Sequence, residues 1–123
     1  MATLTPTLTL TSADVLPDTL SMSVTDSLTV NGDVVVQTVL TAAASSGVSI
    51  IGTSYAKSYV FVKNVSDVVI NLGSDASAAL NWIELAVDEF AFFPWDGTDE
   101  LFAVAASGTN KALEIMIFES ANE

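Results

Sequence analysis

The chain has 123 residues, half of them hydrophobic, with 15 acidic side chains against three lysines and a net charge of −12. That length fits one domain, and so much hydrophobicity places the acids on a folded surface rather than in a disordered chain. With no Cys, His or Arg, the sequence lacks disulfides, thiolate and imidazole metal ligands, an ordinary general base near neutral pH and a planar fork for phosphate.

The first thirty residues alternate with period two. Leu4, Pro6, Leu8 and Leu10 occupy even positions between Thr3, Thr5, Thr7, Thr9 and Thr11, and the pattern returns at Leu20, Met22 and Val24 and at Leu28 and Val30. Such alternation predicts strands with one apolar and one hydroxyl face. Residues 1–12 are expected to be an extended arm or edge strand, and residues 13–123 a single β-sandwich domain. Asn31-Gly32 accepts positive φ and predicts a tight hairpin turn before Val34-Val35-Val36. Ala42 to Gly47 reads as a small-residue loop, Val48 to Ile51 as a short strand, and Tyr55 to Lys63 as a longer one with Tyr55, Tyr59 and Phe61 on one face. Lys63 to Asp67 reads as a turn and Val68 to Leu72 as the returning strand, closed by Gly73-Ser74-Asp75.

Residues 76–90 fit a helical stripe through Leu80, Ile83, Val87 and Phe90, or a strand through Ile83, Leu85 and Val87. The β-rich flanks favour the strand. Phe90 to Phe93 predicts another strand ended by Pro94, and Asp96-Gly97 a turn. Glu100 to Ala106 and Lys111 to Glu119 predict a last hairpin around Ser107-Gly108-Thr109-Asn110. The sum is an all-β, antiparallel sandwich or jelly-roll-like domain of about eight or nine short strands.

Each pattern suggestive of chemistry has a simpler structural reading. Ser54-Tyr55-Ala56-Lys57 matches the S-x-x-K of serine acyl-enzymes, but in a strand positions three apart point to opposite faces. Asp96, Asp99 and Glu100 offer oxygens for calcium, yet without EF-hand spacing they read as a solvated turn. Glu84, Asp88 and Glu89 form a second acidic cluster in which nothing singles out a catalytic pair. Asn64-Val65-Ser66 is formally a glycosylation sequon and more simply a turn. Trp82, Phe90, Phe92, Phe93 and Trp95 are the densest aromatic group, where core packing is the default. Adjacent Phe92 and Phe93 face opposite sides of a strand, leaving one open to a partner. No enzymatic activity, cofactor, metal or small-molecule substrate is expected.

The order Tyr59-Val60-Phe61-Val62-Lys63-Asn64, Ile83-Glu84-Leu85, Glu89-Phe90-Ala91-Phe92-Phe93-Pro94 and Ala112 to Glu119 resembles head decoration (cement) proteins of tailed bacteriophages. The resemblance covers about 60 residues of β-rich patterning. It departs from that pattern at Val87-Asp88, where those proteins carry a Pro-Gly turn. It implies a virion structural protein on the outside of the capsid that binds the major capsid protein and itself, as a homotrimer, and strengthens the shell. Partner contact is then expected of the arm (Thr3, Leu4, Thr5, Thr7, Leu8, Thr9, Leu10, Thr11) and of Phe92, Phe93 and Trp95. An acidic surface disfavours nucleic acid and anionic membranes as partners. The N-terminus has neither a basic start nor a continuous apolar core, so synthesis in the host cytoplasm without secretion is expected. The alternatives are a tail, fibre or head–tail component, or a carbohydrate-binding β-sandwich with Trp82 or Trp95 as a stacking platform.

Overall fold

Period-two alternation becomes strand throughout. A computed structural model describes residues 2–41, 46–51, 57–74, 81–97 and 99–121. Among these residues there are eleven strands and no helix. In chain order they are β1 (Ala2–Leu4), β2 (Thr7–Ser12), β3 (Leu20–Thr25), β4 (Leu28–Leu40), β5 (Val48–Ile51), β6 (Ser58–Asn64), β7 (Ile70–Gly73), β8 (Asn81–Leu85), β9 (Phe90–Trp95), β10 (Leu101–Ala105) and β11 (Ala112–Ser120). Within the ambiguous stretch 76–90, residues 81–85 are strand, residues 86–89, Val87 among them, form a turn before β9, and residues 76–80 lie outside the described residues.

Every pairing is antiparallel. One sheet runs β1-β4-β11-β6-β9, a second runs β5-β10-β7-β8, and β2 and β3 pair by themselves. Leaving β1 aside, strands β4 to β11 divide between two four-stranded sheets in the order of a double-sheet jelly roll, with β7 and β8 the one successive pair in the same sheet. The sheets meet over one core. Val60 and Val62 of β6 and Leu113, Ile115 and Ile117 of β11 pack against Ile50 and Ile51 of β5, Ile70 and Leu72 of β7, Leu85 of β8 and Leu101 and Ala103 of β10. These alternate positions are nearly inaccessible to water, and each buried aliphatic side chain contributes about 1.5–3 kcal/mol.

Several sequence expectations need correction. Asn31-Gly32 does not turn the chain; it lies inside the 13-residue strand β4. Val34 pairs with Phe118 and Val30 with Ser120, so three residues of β4 stand opposite Glu119 alone. The dipeptide sits in this β-bulge, which lets the strand bend without ending. The Asn31 side-chain amide donates to the Glu119 carboxylate at 2.7 Å across it. The last two strands are not a hairpin either, because β10 lies in one sheet and β11 in the other. The same holds for β6 and β7. Pro94 lies within β9 rather than after it, which is tolerated because β9 is the free edge of its sheet.

Asn64 locks the two sheets at one end. Fully buried, its amide donates to the carbonyls of Val68 (2.7 Å), Leu85 (2.9 Å) and Ala86 (3.2 Å). Its Oδ1 accepts from the Ser66 backbone (2.9 Å) and hydroxyl (2.7 Å). The sequon asparagine is therefore a structural hub whose amide is already spent on hydrogen bonds.

Candidate protein-binding surface

The N-terminal strands build a hairpin arm. Ala2 to Leu4 pair with Val30 to Leu28, and Thr7 to Ser12 pair with Thr25 to Leu20 in the same register. Pro6 has no N–H and interrupts the ladder, but its carbonyl still accepts from Asp26 at 3.2 Å. Residues 2–12 and 20–30 thus form one two-stranded ribbon, on the order of 35 Å long at the strand rise of about 3.3 Å per residue. The bulge in β4 joins it to the sandwich.

Register places Leu8 opposite Val24 and Leu10 opposite Met22 on one face of the ribbon. The other face carries only hydroxyl side chains, with Thr7 and Thr25 bonded across it at 3.0 Å. Leu8 (46 % exposed) and Val24 (53 %) have little covering them. At the tip, Ser12 Oγ accepts from the backbone of Asp14 and Val15, and Val15 and Leu16 project into solvent. A lone two-stranded hairpin is marginal in water, so an uncovered apolar face on one calls for a partner.

A second apolar surface lies beside the arm. On the outer face of the five-stranded sheet, register aligns Val36, Met116, Phe61 and Phe92 across four strands. Phe118, Tyr59 and Pro94 form the row alongside. Phe90 completes the patch, its ring 6.2 Å from that of Phe61. Between this face and the arm runs an open groove of about 810 Å³, lined by Leu4, Leu8, Val24 and Leu28 on one side and Tyr59, Phe61, Phe92 and Met116 on the other. Among the described residues, Asp26 is the only charged one in its lining. Two of the three lysines flank this face. Lys57 lies over the Tyr59 ring at 5.6 Å, and Lys63 pairs with Phe90 in the next row. The third, Lys111, is bonded to Asp67 at 2.8 Å.

The expected contact residues separate into three groups. Leu4, Thr7, Leu8 and Phe92 come together in the groove. Leu10 lies on the same arm face beyond it, while Thr3, Thr5, Thr9 and Thr11 alternate onto the hydroxyl face. Phe93 and Trp95 instead turn inward and pack on the core. Tyr59, Phe61 and Met116 join this surface without having been expected from the sequence. The available signal was that β6 and β11 are apolar on both faces, although a sandwich buries only one.

The remaining candidates stay apart from this surface. No cluster of three or more metal-ligating side chains occurs among the described residues. Ser54 of the S-x-x-K motif and Thr98 of the acidic turn lie outside the described residues, as do Tyr55 and Asp75. The acidic turn is tied to Trp95, whose indole donates to the Asp99 carbonyl at 3.0 Å. In the second acidic cluster, Glu89 accepts from the Ala86 amide at 2.7 Å and so closes its own turn. Trp82 is 56 % exposed, with its ring 5.9 Å from that of Trp95.

Comparison of the chain with protein-family models, with curated proteins and with solved structures finds no match.

Proposed function

We propose that this chain is a virion structural protein that binds the outside of a phage capsid and stabilises the shell, acting as a homo-oligomer and not as an enzyme. The observation that carries this reading is the pairing of an apolar arm with an apolar groove on an otherwise strongly acidic jelly roll. Such a surface suits protein–protein burial, while the acids elsewhere hold copies apart in solution until they meet a matching surface. The fold hosts viral shell domains among other functions, so it accommodates the role. The direct test is the composition of the purified parent particle. The chain is expected on the shell, and its absence there overturns the proposal.

A second reading rests on Trp82. An exposed indole tilted at 39° to a second Trp offers a face on which a sugar ring stacks, as in a carbohydrate-binding β-sandwich. Glycan binding that disappears in Trp82→Ala favours this reading over shell attachment.

A further inference from the structure

We infer that the groove receives the arm of a second copy of this chain, with the Leu8, Leu10, Met22 and Val24 face of one ribbon laid over Phe61, Phe92 and Met116 of the next molecule. The inference deepens the proposed function and rests on it only in taking copies to associate.

Charge selects the occupant. Two molecules of net charge −12 repel, so they approach favourably only where acids are scarce. Residues 1–12 and 20–25 contain no charged side chain, and among the described residues the groove contains only Asp26. The charges flanking the two surfaces also complement each other. The arm tip carries Asp14 and Asp18 beside Val15 and Leu16, and Lys57 flanks the outer face beside Tyr59, while Lys63 has Glu114 as its register partner there. A strongly basic partner finds almost no acid inside the groove. The chain itself supplies both halves. Its own arm leaves the groove open, and Leu10 and Met22 do not line it.

Area sets how the arms are used. A ribbon of about nine residues per strand covers about 30 Å by 10 Å, so one seated arm buries on the order of 600 Å² counting both surfaces. That is below the roughly 1,200 Å² at which stable interfaces begin. A reciprocal pair reaches that range, and in a closed ring each copy both gives and receives an arm. Either arrangement uses every arm and fills every groove.

The test uses the purified full chain. Because the chain has no cysteine, Leu10→Cys with Phe92→Cys in one molecule is a clean reporter. Oxidation is expected to give disulfide-linked dimers and larger species on denaturing gels. A cross-link confined within single chains, or none, overturns the inference. By light scattering, wild type is expected as an oligomer. Leu10→Asp and Phe92→Asp are each expected to be monomers with wild-type circular dichroism, and Thr9→Asp on the hydroxyl face to remain an oligomer. A monomeric wild type at about 100 µM, or an oligomer indifferent to both apolar-face changes, overturns it. A monomer found on particles sinks this inference and leaves the shell role standing. An oligomer missing from particles sinks the shell role and leaves this inference standing.

Discussion

The arm and the sandwich are built from the same alternating strands, yet they spend their apolar faces differently. In β11, Leu113, Ile115 and Ile117 are nearly or fully buried by the opposite sheet. In the ribbon, Leu8, Leu10, Met22 and Val24 repeat the same period and stay exposed, because no second layer covers them. Alternation specifies a two-faced strand. Whether its apolar face stabilises the fold or awaits a partner depends on what lies opposite. The outer face of the five-stranded sheet belongs with the arm in this respect, since Phe92 and Met116 face the groove instead of a second sheet.

The largest expected effect comes from cutting the core side of this contrast. Leu113→Ala and Ile117→Ala leave cavities at sites where the side chains are completely or almost completely buried, and each is expected to cost about 2–5 kcal/mol. Leu10→Ala in the arm removes comparable apolar volume and is expected to leave the stability of the isolated domain within about 0.5 kcal/mol. Urea denaturation monitored by tryptophan fluorescence checks both. An arm substitution as costly as a core one erases the distinction between the two regions.

Next in size is Asn64→Ala. It takes the amide donor away from the Leu85, Val68 and Ala86 carbonyls, of which Val68 keeps the Ser66 hydroxyl and Ala86 the Glu89 amide, and it removes the acceptor for Ser66. Unsatisfied buried groups cost about 1–3 kcal/mol, so the loss is expected near 2–3 kcal/mol. It sharpens the contrast because the substitution acts wholly within the sandwich. Hydrogen exchange is expected to accelerate at the ends of β6 and β8 and to stay unchanged in the arm.

How much of this was legible follows from the kinds of information that alternation carries. Strand positions were legible because period two shows directly in residues such as Val60 and Val62, or Leu101 and Ala103. Strand partners were not. In a jelly roll most successive strands lie in different sheets, so a turn between β10 and β11 looks in sequence like a hairpin and is a crossover. Asn31-Gly32 misled for a related reason, since conformational permissiveness serves a bulge as well as a turn. The arm and Phe92 were legible as contact candidates from exposed-type patterning and adjacency. Phe61, Tyr59 and Met116 were not, because one chain's sequence does not say which of two apolar faces meets the second sheet.

A smaller effect is expected at the turn between β8 and β9. Asp88 holds φ at +69°, and the Glu89 amide donates to the Ala86 carbonyl at 3.0 Å, the geometry of a turn whose third residue favours glycine. The left-handed conformation costs a side-chain-bearing residue about 1 kcal/mol, partly offset by the greater unfolded-state entropy of glycine. Asp88→Gly is therefore expected to stabilise by up to about 1 kcal/mol, read as a higher urea midpoint. No gain, or a loss, shows that the aspartate side chain contributes more at this turn than its backbone strain costs.

The smallest expected effect concerns the ion pair beside the last crossover. The Lys111 ammonium donates to Asp67 and attracts it, holding the Asp67 carboxyl below its ordinary value of 3.8. A carboxyl depressed on folding contributes stability that is complete above its unfolded value and fades as pH falls through the folded one. Wild type and Asp67→Asn should therefore differ slightly at pH 6 and converge below about pH 3. The pair is exposed on the Asp67 side, so salt is expected to shrink the difference further. Gly108 also fixes this pair. Its φ is +76°, and an added Cβ would lie 2.7 Å from Lys111 Cε, so Gly108→Ala displaces the lysine as well as straining the turn. If Asp67→Asn changes stability in Gly108→Ala as much as in wild type, the lysine's flexible end has moved clear of the new methyl and kept its bond to Asp67. If the effect of Asp67→Asn vanishes there, a feature of the sandwich far from the arm rests on one glycine that keeps a lysine in place.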